Sequence, residues 1–333
     1  MHNLKNLPLY SKPFIKIVLS VMIFILIGYL FINAYLNKIN HSGEAQAIPP
    51  SEEFFETDSE NNDNDAINQH NVFWDEDKSI ISDKNIINIM LIGQDKRPGE
   101  SRARSDSMII ATINKNSNTI KLTSLMRDMY VQIPGYSDNK INAAYAFGGI
   151  ELLSDTVEKN FLVHIDGSVE VDFSGFTKII DKIGGVDIVL NEAEAEYLND
   201  SSNLNFRAGL NNLAGENALT YSRIRYIGND DYERTERQRK VLTSVFDKFT
   251  NSSITKLLDI ADEILPLITT DLSNSQILGL LTETILNGVS DLETYRIPAD
   301  GEYTPTTING MSVLLPNLTE NRALLKEYIG YGK

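Results

Sequence analysis

Twenty-one consecutive residues, Ile17 to Asn37, carry no charge, and Ile17–Ile32 is almost wholly apolar. A bilayer core about 30 Å thick takes roughly 20 helical residues, so the run has the length of one transmembrane helix. Lys5, Lys12 and Lys16 precede it and only Lys38 follows closely. The positive-inside rule then puts residues 1–16 in the cytoplasm and everything after residue 38 outside. A cleaved signal peptide is the competing reading, but Ala45-Gln46-Ala47 lies well beyond the run, and the run is long for a signal h-region. A retained anchor is the expectation.

Charge divides the rest of the chain. The formal net charge is −16, with +4 in residues 1–40, −11 in residues 41–83 and −9 in the remainder. Residues 38–84 are acidic, Asn-rich and without sustained periodicity. Such a stretch buries too little apolar area to offset chain ordering, which predicts a flexible linker. The acidic balance disfavours general nucleic-acid binding, which needs a net basic face. With no cysteine and four scattered histidines, thiolate metal sites, cysteine nucleophiles and a Ser-His-Asp triad are disfavoured as well.

From about Asn85 the texture becomes that of a folded domain, 85–333. Ile86–Ile92, Met108–Ile113 and Ile120–Leu125 read as buried strands, with Val169–Val171 and Val186–Leu190 further on. Asn142–Asn160 has helical spacing, with Ala143, Ala146, Phe147, Ile150, Leu153 and Val157 on one stripe. Ser174–Ile183 reads as a helix ending at Gly184-Gly185. After residue 240 come apolar-periodic helices, Val241–Phe249, Ile254–Leu267 and Ser275–Leu286, then a tail of strand, turn, strand and helix (Asn321–Ile329). Strands alternating with helices predict an α/β fold, an α-β-α sandwich around a central mixed sheet.

Of twelve arginines, nine fall in two short windows: Arg97, Arg102, Arg104 and Arg127, then Arg223, Arg225, Arg234, Arg237 and Arg239. In an acidic protein this raises the question of what anion they hold. Asp95, Asp106 and Arg127 each sit beside a predicted strand end, where open α/β sheets form ligand crevices. Asp95 and Asp106 together suit a hard cation, and Arg127 offers a planar fork to a phosphate. If Arg223-Ile224-Arg225 is extended, both guanidinium groups share a face. If Asp231–Phe249 is helical, Arg234, Arg237 and Gln238 share another. Together these make a plausible diphosphate clamp. The plainer alternative is a set of surface ion pairs, since Asp230, Asp231, Glu233 and Glu236 are interleaved with the basic residues.

The ordered blocks NIMLIGQDKR, RSDSMIIATIN, LTSLMRDMYVQIPG, KINAAYAFGG, VDFSGFTKIIDKIGGVDI, LAGENALTYSRIRY and DDYERTERQRKVL, behind an N-terminal anchor, resemble the LytR-CpsA-Psr family. The similarity runs from about Asn85 to Phe249, with a weaker match at Gly310–Leu314. The resemblance implies an exported phosphotransferase of Gram-positive envelopes. Such an enzyme moves a glycopolymer, such as wall teichoic acid or capsular polysaccharide, from undecaprenyl pyrophosphate onto peptidoglycan.

On the matching positions, Asp95 and Asp106 are implied to hold magnesium, or manganese in its place. Arg127, Arg223, Arg225, Arg234 and Gln238 are implied to hold the pyrophosphate, and Arg97, beside Asp95, is a further candidate for it. Met126 stands where family members often have proline, and Glu233 where they have a small residue. The resemblance also implies an apolar groove for the lipid tail, whose lining sequence alone does not reveal, because groove and core share one periodicity. The chemistry is positioning and charge neutralisation. Asp95, Asp106 and Asp231 are the candidates to take the acceptor proton. A polyprenyl-pyrophosphate hydrolase and a non-catalytic envelope regulator are the alternatives.

Overall fold

The computed structural model describes residues 32–42, 79–94, 105–202, 204–225, 227, 230–287 and 291–332. Residues 17–31 of the uncharged run, 43–78 of the acidic stretch, and Asp95, Arg97, Arg102 and Arg104 lie outside the described residues, as do the side chains of Asp230 and Asp231. Among the described residues no helix is long and apolar enough to cross a membrane.

Strands β1 (Asn40–His41), β2 (Ile86–Gln94), β3 (Ser105–Asn114) and β4 (Thr119–Leu125) are followed by a short ribbon, β5 (Tyr130–Val131) with β6 (Asn139–Lys140). Helix α1 (Ile141–Phe161), strand β7 (Gly167–Asp172) and helix α2 (Phe173–Lys182) come next. Then come β8 (Val186–Leu190), α3 (Glu192–Ser201), β9 (Gly209–Leu213), α4 (Gly215–Arg223), α5 (Asp230–Thr250) and α6 (Ile254–Ile264). The chain closes with β10 (Thr269–Thr270), α7 (Asn274–Asn287), β11 (Asp291–Ile297), β12 (Tyr303–Ile308), β13 (Met311–Pro316) and α8 (Leu318–Ile329).

Seven strands form one mixed sheet in the order β1-β10-β7-β2-β3-β4-β11. β7, β2, β4 and β11 run the same way and β3 runs against them. The expected α/β fold with a central mixed sheet is therefore present. β2 reads as a continuous apolar run because both of its faces are covered. Met90 and Ile92 point into a core made with Met108, Ile110, α1 and α8, where Phe147, Leu153, Val157 and Leu325 are all buried. On the opposite face, α2, α4 and α5 build a second cluster around Ile180, Val186, Leu198, Tyr221 and Val241. α4 and α2 approach so closely that a Cβ on Gly215 would meet Thr177 O at 2.2 Å.

Three expectations need correction. α1 is not continuous: Gly149 adopts φ 67°, ψ −150°, a conformation natural to glycine, and kinks the helix there. The predicted helix over Ile254–Leu267 stops at Ile264 and tightens into a 3-10 turn, Leu265–Leu267, containing Pro266. Residues 38–42 and 79–84, assigned above to the linker, are packed on the domain: Asn40–His41 joins the central sheet and Ile81 bridges to Val163.

Candidate active site

The parallel strands β7, β2, β4 and β11 end on one side of the sheet, and β3 begins there. That side is where open sheets place their ligand crevice. On β2, the alternation that sends Met90 and Ile92 into the α1 core leaves Leu91 on the opposite face. Leu91, Ile109, Val169 and Val171 form the floor of a cavity of about 240 Å³. Phe176 and Ile179 of α2, Leu219 of α4, and Val241, Leu242 and Val245 of α5 form its roof. An apolar cavity thus lies between the sheet and three helices, on the face away from the main core.

Polar residues in its lining come from four parts of the chain: Asp106 and Ser107 at the start of β3, Ser222 and Arg223 at the end of α4, Arg225 just beyond, and Arg234 and Gln238 on α5. Asp106 and Gln238 are separated by more than 130 positions in sequence, yet they share one cavity. Arg127, at the end of β4, joins through Asp106: its Nη1 donates to Asp106 Oδ1 at 3.1 Å. Arg127 Nε lies 3.4 Å from Asp128 Oδ2, and Lys140 Nζ is 3.1 Å from the other oxygen of Asp128. The Arg127 fork is thus oriented by two carboxylates, one of them braced by a largely buried lysine.

The local structure around Arg223 differs from the extended reading. Arg223 is the last residue of α4, and Ile224 breaks the helix with ψ 126°. The two arginines therefore straddle a helix end rather than sharing a strand face, although both reach the cavity. The Arg223 guanidinium stacks 4.6 Å from the Phe173 ring centroid, a cation–π contact that holds it over the first residue of α2. α2 itself is capped by Asp172, which accepts from Gly175 N at 2.6 Å.

On α5 the three residues expected on one face separate. Arg234 and Gln238, one turn apart, line the cavity. Arg237 turns away and is only 1% exposed. Its Nε donates to Glu194 Oε1 at 2.8 Å, Nη1 to Ile224 O at 3.2 Å, and Nη2 to Ile227 O at 3.1 Å and Glu233 Oε2 at 2.8 Å. Arg237 is a structural pin that ties the segment around Arg225 to α3 and α5. Glu233 accepts from this pin, and Glu236 accepts from Lys240 at 2.8 Å, which holds its carboxyl below the usual range. Ion pairing therefore describes Arg237, in a buried network, and Lys240 on the surface, while Arg127 pairs with Asp106 and Asp128 beside the cavity.

Sequence reasoning missed Glu194, Lys140 and the Arg237 pin. Glu194 had a readable signal. Asn191-x-x-Glu194 is a capping box, with Glu194 N donating to Asn191 Oδ1 at 2.8 Å and Asn191 N to Glu194 Oε2 at 3.1 Å. Asp95 and Arg97 lie outside the described residues, so the structure brings neither to the site nor away from it.

The profile of the LytR_cpsA_psr family matches residues 53–328. The chain belongs to that family. Among its relatives is the polyisoprenyl-teichoic acid–peptidoglycan teichoic acid transferase TagU of Bacillus cereus, 37% identical over 224 residues, covering 66% of this chain and 71% of TagU. Regulatory protein MsrR of Staphylococcus aureus is 29% identical over 245 residues, covering 73% of this chain and 74% of its own. Among solved structures, TagT bound to LI-WTA superposes with a TM-score of 0.60 at 26% identity, over 74% of this chain and 92% of TagT.

Proposed function

We propose that the protein is a phosphotransferase that moves a glycopolymer, wall teichoic acid or a capsular or secondary wall polysaccharide, from an undecaprenyl-pyrophosphate carrier onto peptidoglycan. One observation carries this reading. A predominantly apolar cavity bears Arg223, Arg225, Arg234, Gln238 and Asp106 in its lining, with Arg127 held against Asp106. A polyprenyl pyrophosphate has the same division, a long hydrocarbon and one doubly charged head. The similarity to a teichoic acid transferase and to TagT bound to LI-WTA supports the same substrate class.

In this reading an acceptor hydroxyl of peptidoglycan attacks the phosphorus on the glycopolymer side. Its oxygen forms the new P–O bond, the bond to the inner phosphate breaks, and undecaprenyl phosphate leaves. Arg127, Arg223, Arg225 and Arg234 neutralise charge on the phosphate oxygens, and Gln238 donates without adding charge. Asp106 lines the cavity and supplies one hard oxygen, which suits magnesium, a metal that takes one or two carboxylates and completes its shell with water and phosphate oxygens. Asp95 is its proposed companion, and a cation held there would supply positive charge to offset the phosphate oxygens. Asp95, Asp106 and Asp231 remain the candidates for the proton acceptor.

Residues 17–37 are proposed as a retained single-pass anchor, with the N-terminus in the cytoplasm and the domain outside. The test of function follows a labelled lipid-linked glycopolymer in the presence of peptidoglycan. Label in peptidoglycan is the expected result. Free glycopolymer phosphate indicates a hydrolase. Binding without turnover supports a regulator, the reading favoured by the likeness to MsrR.

A further inference from the structure

The residues that leave the uncharged run do not pass into a tether; they are built into the domain. Asn40–His41 forms β1, the outer strand of the central sheet, in parallel register with Thr269–Thr270. Asn40 N donates to Ile268 O at 3.0 Å, Ser42 N to Thr270 O at 2.8 Å, and Asn40 Nδ2 to Pro266 O at 2.7 Å. Asn274, at the start of α7, donates through Nδ2 to Asn37 Oδ1 at 2.6 Å and Asn33 Oδ1 at 3.0 Å. Lys38 Nζ lies 2.7 Å from Asp262 Oδ1 on α6. Leu36 and Ile39 are buried. Contacts to β10, α6 and α7 are three separate attachments, enough to fix orientation as well as position.

The geometry points to a bilayer-seating face made of residues 32–38 with α6 and α7, which holds the cavity at a set height and orientation over the membrane that supplies its lipid. This rests on the reading of residues 17–37 as a membrane span. Chain length gives the magnitude. A flexible linker over the 47 residues of 38–84 has a root-mean-square reach of about 35–40 Å. Here only Lys38 and Ile39 separate the uncharged run from β1, so the sheet edge lies within about 10 Å of the run's end. The face also has a suitable surface. Ile32, Leu258 of α6 and Leu281 of α7 are exposed, and Ile32, Leu36 and Leu278 border an open apolar cleft beside Gly279. Both ends of the acidic stretch 43–78 are fixed on the same domain, at Ser42 and through the Ile81 bridge to Val163. Its length therefore does not set the distance to the membrane.

The chain has no cysteine, so one engineered pair reads the docking cleanly. Asn40→Cys with Thr269→Cys joins register partners on neighbouring strands, about 4.7–4.9 Å apart and within disulfide range. Mild oxidation of the full chain in membranes should cross-link nearly all of it; no cross-link overturns the proposal. A flexible Gly/Ser insertion of about ten residues between Asn37 and Lys38 should lower transfer from membrane-borne lipid about tenfold or more. Binding of a short polyprenyl pyrophosphate in detergent should not change. The same insertion within residues 51–70 should leave transfer intact. Equal tolerance of both insertions overturns the seating even if the cross-link forms. Protease access to the N-terminus in sealed vesicles tests the span by itself, so its failure is separable from failure of the docking.

Discussion

Arg237→Met isolates the pin from the clamp. The substitution leaves the Glu194 carboxylate, 5% exposed, without its cation, and deprives the Ile224 and Ile227 carbonyls of donors. Breaking a buried pair from one side costs about 3–5 kcal/mol. For a domain of this size each kcal/mol moves the melting temperature by about 2–4 °C, so a fall of about 6–20 °C is expected. Arg237→Met combined with Glu194→Met removes both charges and should recover the part of that loss due to the unpaired carboxylate, since apolar replacements of a buried pair are often neutral or better. A loss of about 1 kcal/mol for each broken bond should persist, at Asn191 N and at the Ile224 and Ile227 carbonyls. Binding should not recover with stability, because nothing restores the donors to the two carbonyls flanking Arg225. Thermal melting and titration with a polyprenyl pyrophosphate, run on wild type, single and double variants, give both quantities. The double variant should stay at least about tenfold weaker, or about 1.4 kcal/mol. Recovery of full affinity alongside stability would refute the positioning role and leave Arg237 as a contributor to stability alone.

Other outcomes follow from the same geometry. Arg127→Lys keeps charge but cannot span Asp106 and Asp128 as a fork, so transfer should fall on the order of 10²-fold with little change in melting temperature; wild-type turnover would contradict the role. Val245→Trp fills the cavity from its α5 wall and should weaken long-chain polyprenyl pyrophosphates while sparing a short-chain analogue, which competition binding would separate. Chelation should abolish transfer and magnesium restore it, and Asp106→Asn should raise the magnesium needed for half-maximal rate. Burial pushes the Tyr130, Tyr221 and Tyr328 hydroxyls well above their usual 10.0. Their neutral forms therefore favour the fold fully below that value, and the contribution is lost as pH rises beyond it. A melting temperature that is flat from pH 8 to about 9.5 and drops above about 10 is expected.

How well an element could be read depended on what covers it. β2, β3 and β4 are buried on both faces, so their sequences are nearly continuous apolar runs bounded by polar turns. The α1 stripe was legible for the same reason, although the kink at Gly149 was not, because Gly148-Gly149 continues the helical spacing. β9 was missed: Gly209–Leu213 pairs with β8 in a two-stranded ribbon whose Leu210 is 73% exposed, and no apolar alternation marks it. β12 carries Pro305, which argues against a strand interior, yet an antiparallel ribbon with β13 tolerates it. α3, with four acids in ten residues, was missed, although its capping box at Asn191 and Glu194 was there to be read.

At the site, the inventory of charge was in the sequence: arginines in two windows of an acidic chain, with aspartates beside strand ends. Covalent order fixes such an inventory, and the hydrophobic period fixes which segments pack against it. Tertiary structure alone decided the assignments. Arg234, Arg237 and Gln238 share a helical stripe, but the position of α5 over the sheet sends two into the cavity and the third under the Ile224–Ile227 segment. A rotation of α5 about its axis would exchange them without any change in periodicity. Groove and core walls likewise use the same apolar spacing, and only the offset of α2, α4 and α5 from the sheet leaves a cavity instead of contact. The pairing of Asn40 with Thr269, through its backbone N–H to Ile268 O more than 220 positions away, had no local signal, because strand pairing draws on backbone groups that nearly every residue carries.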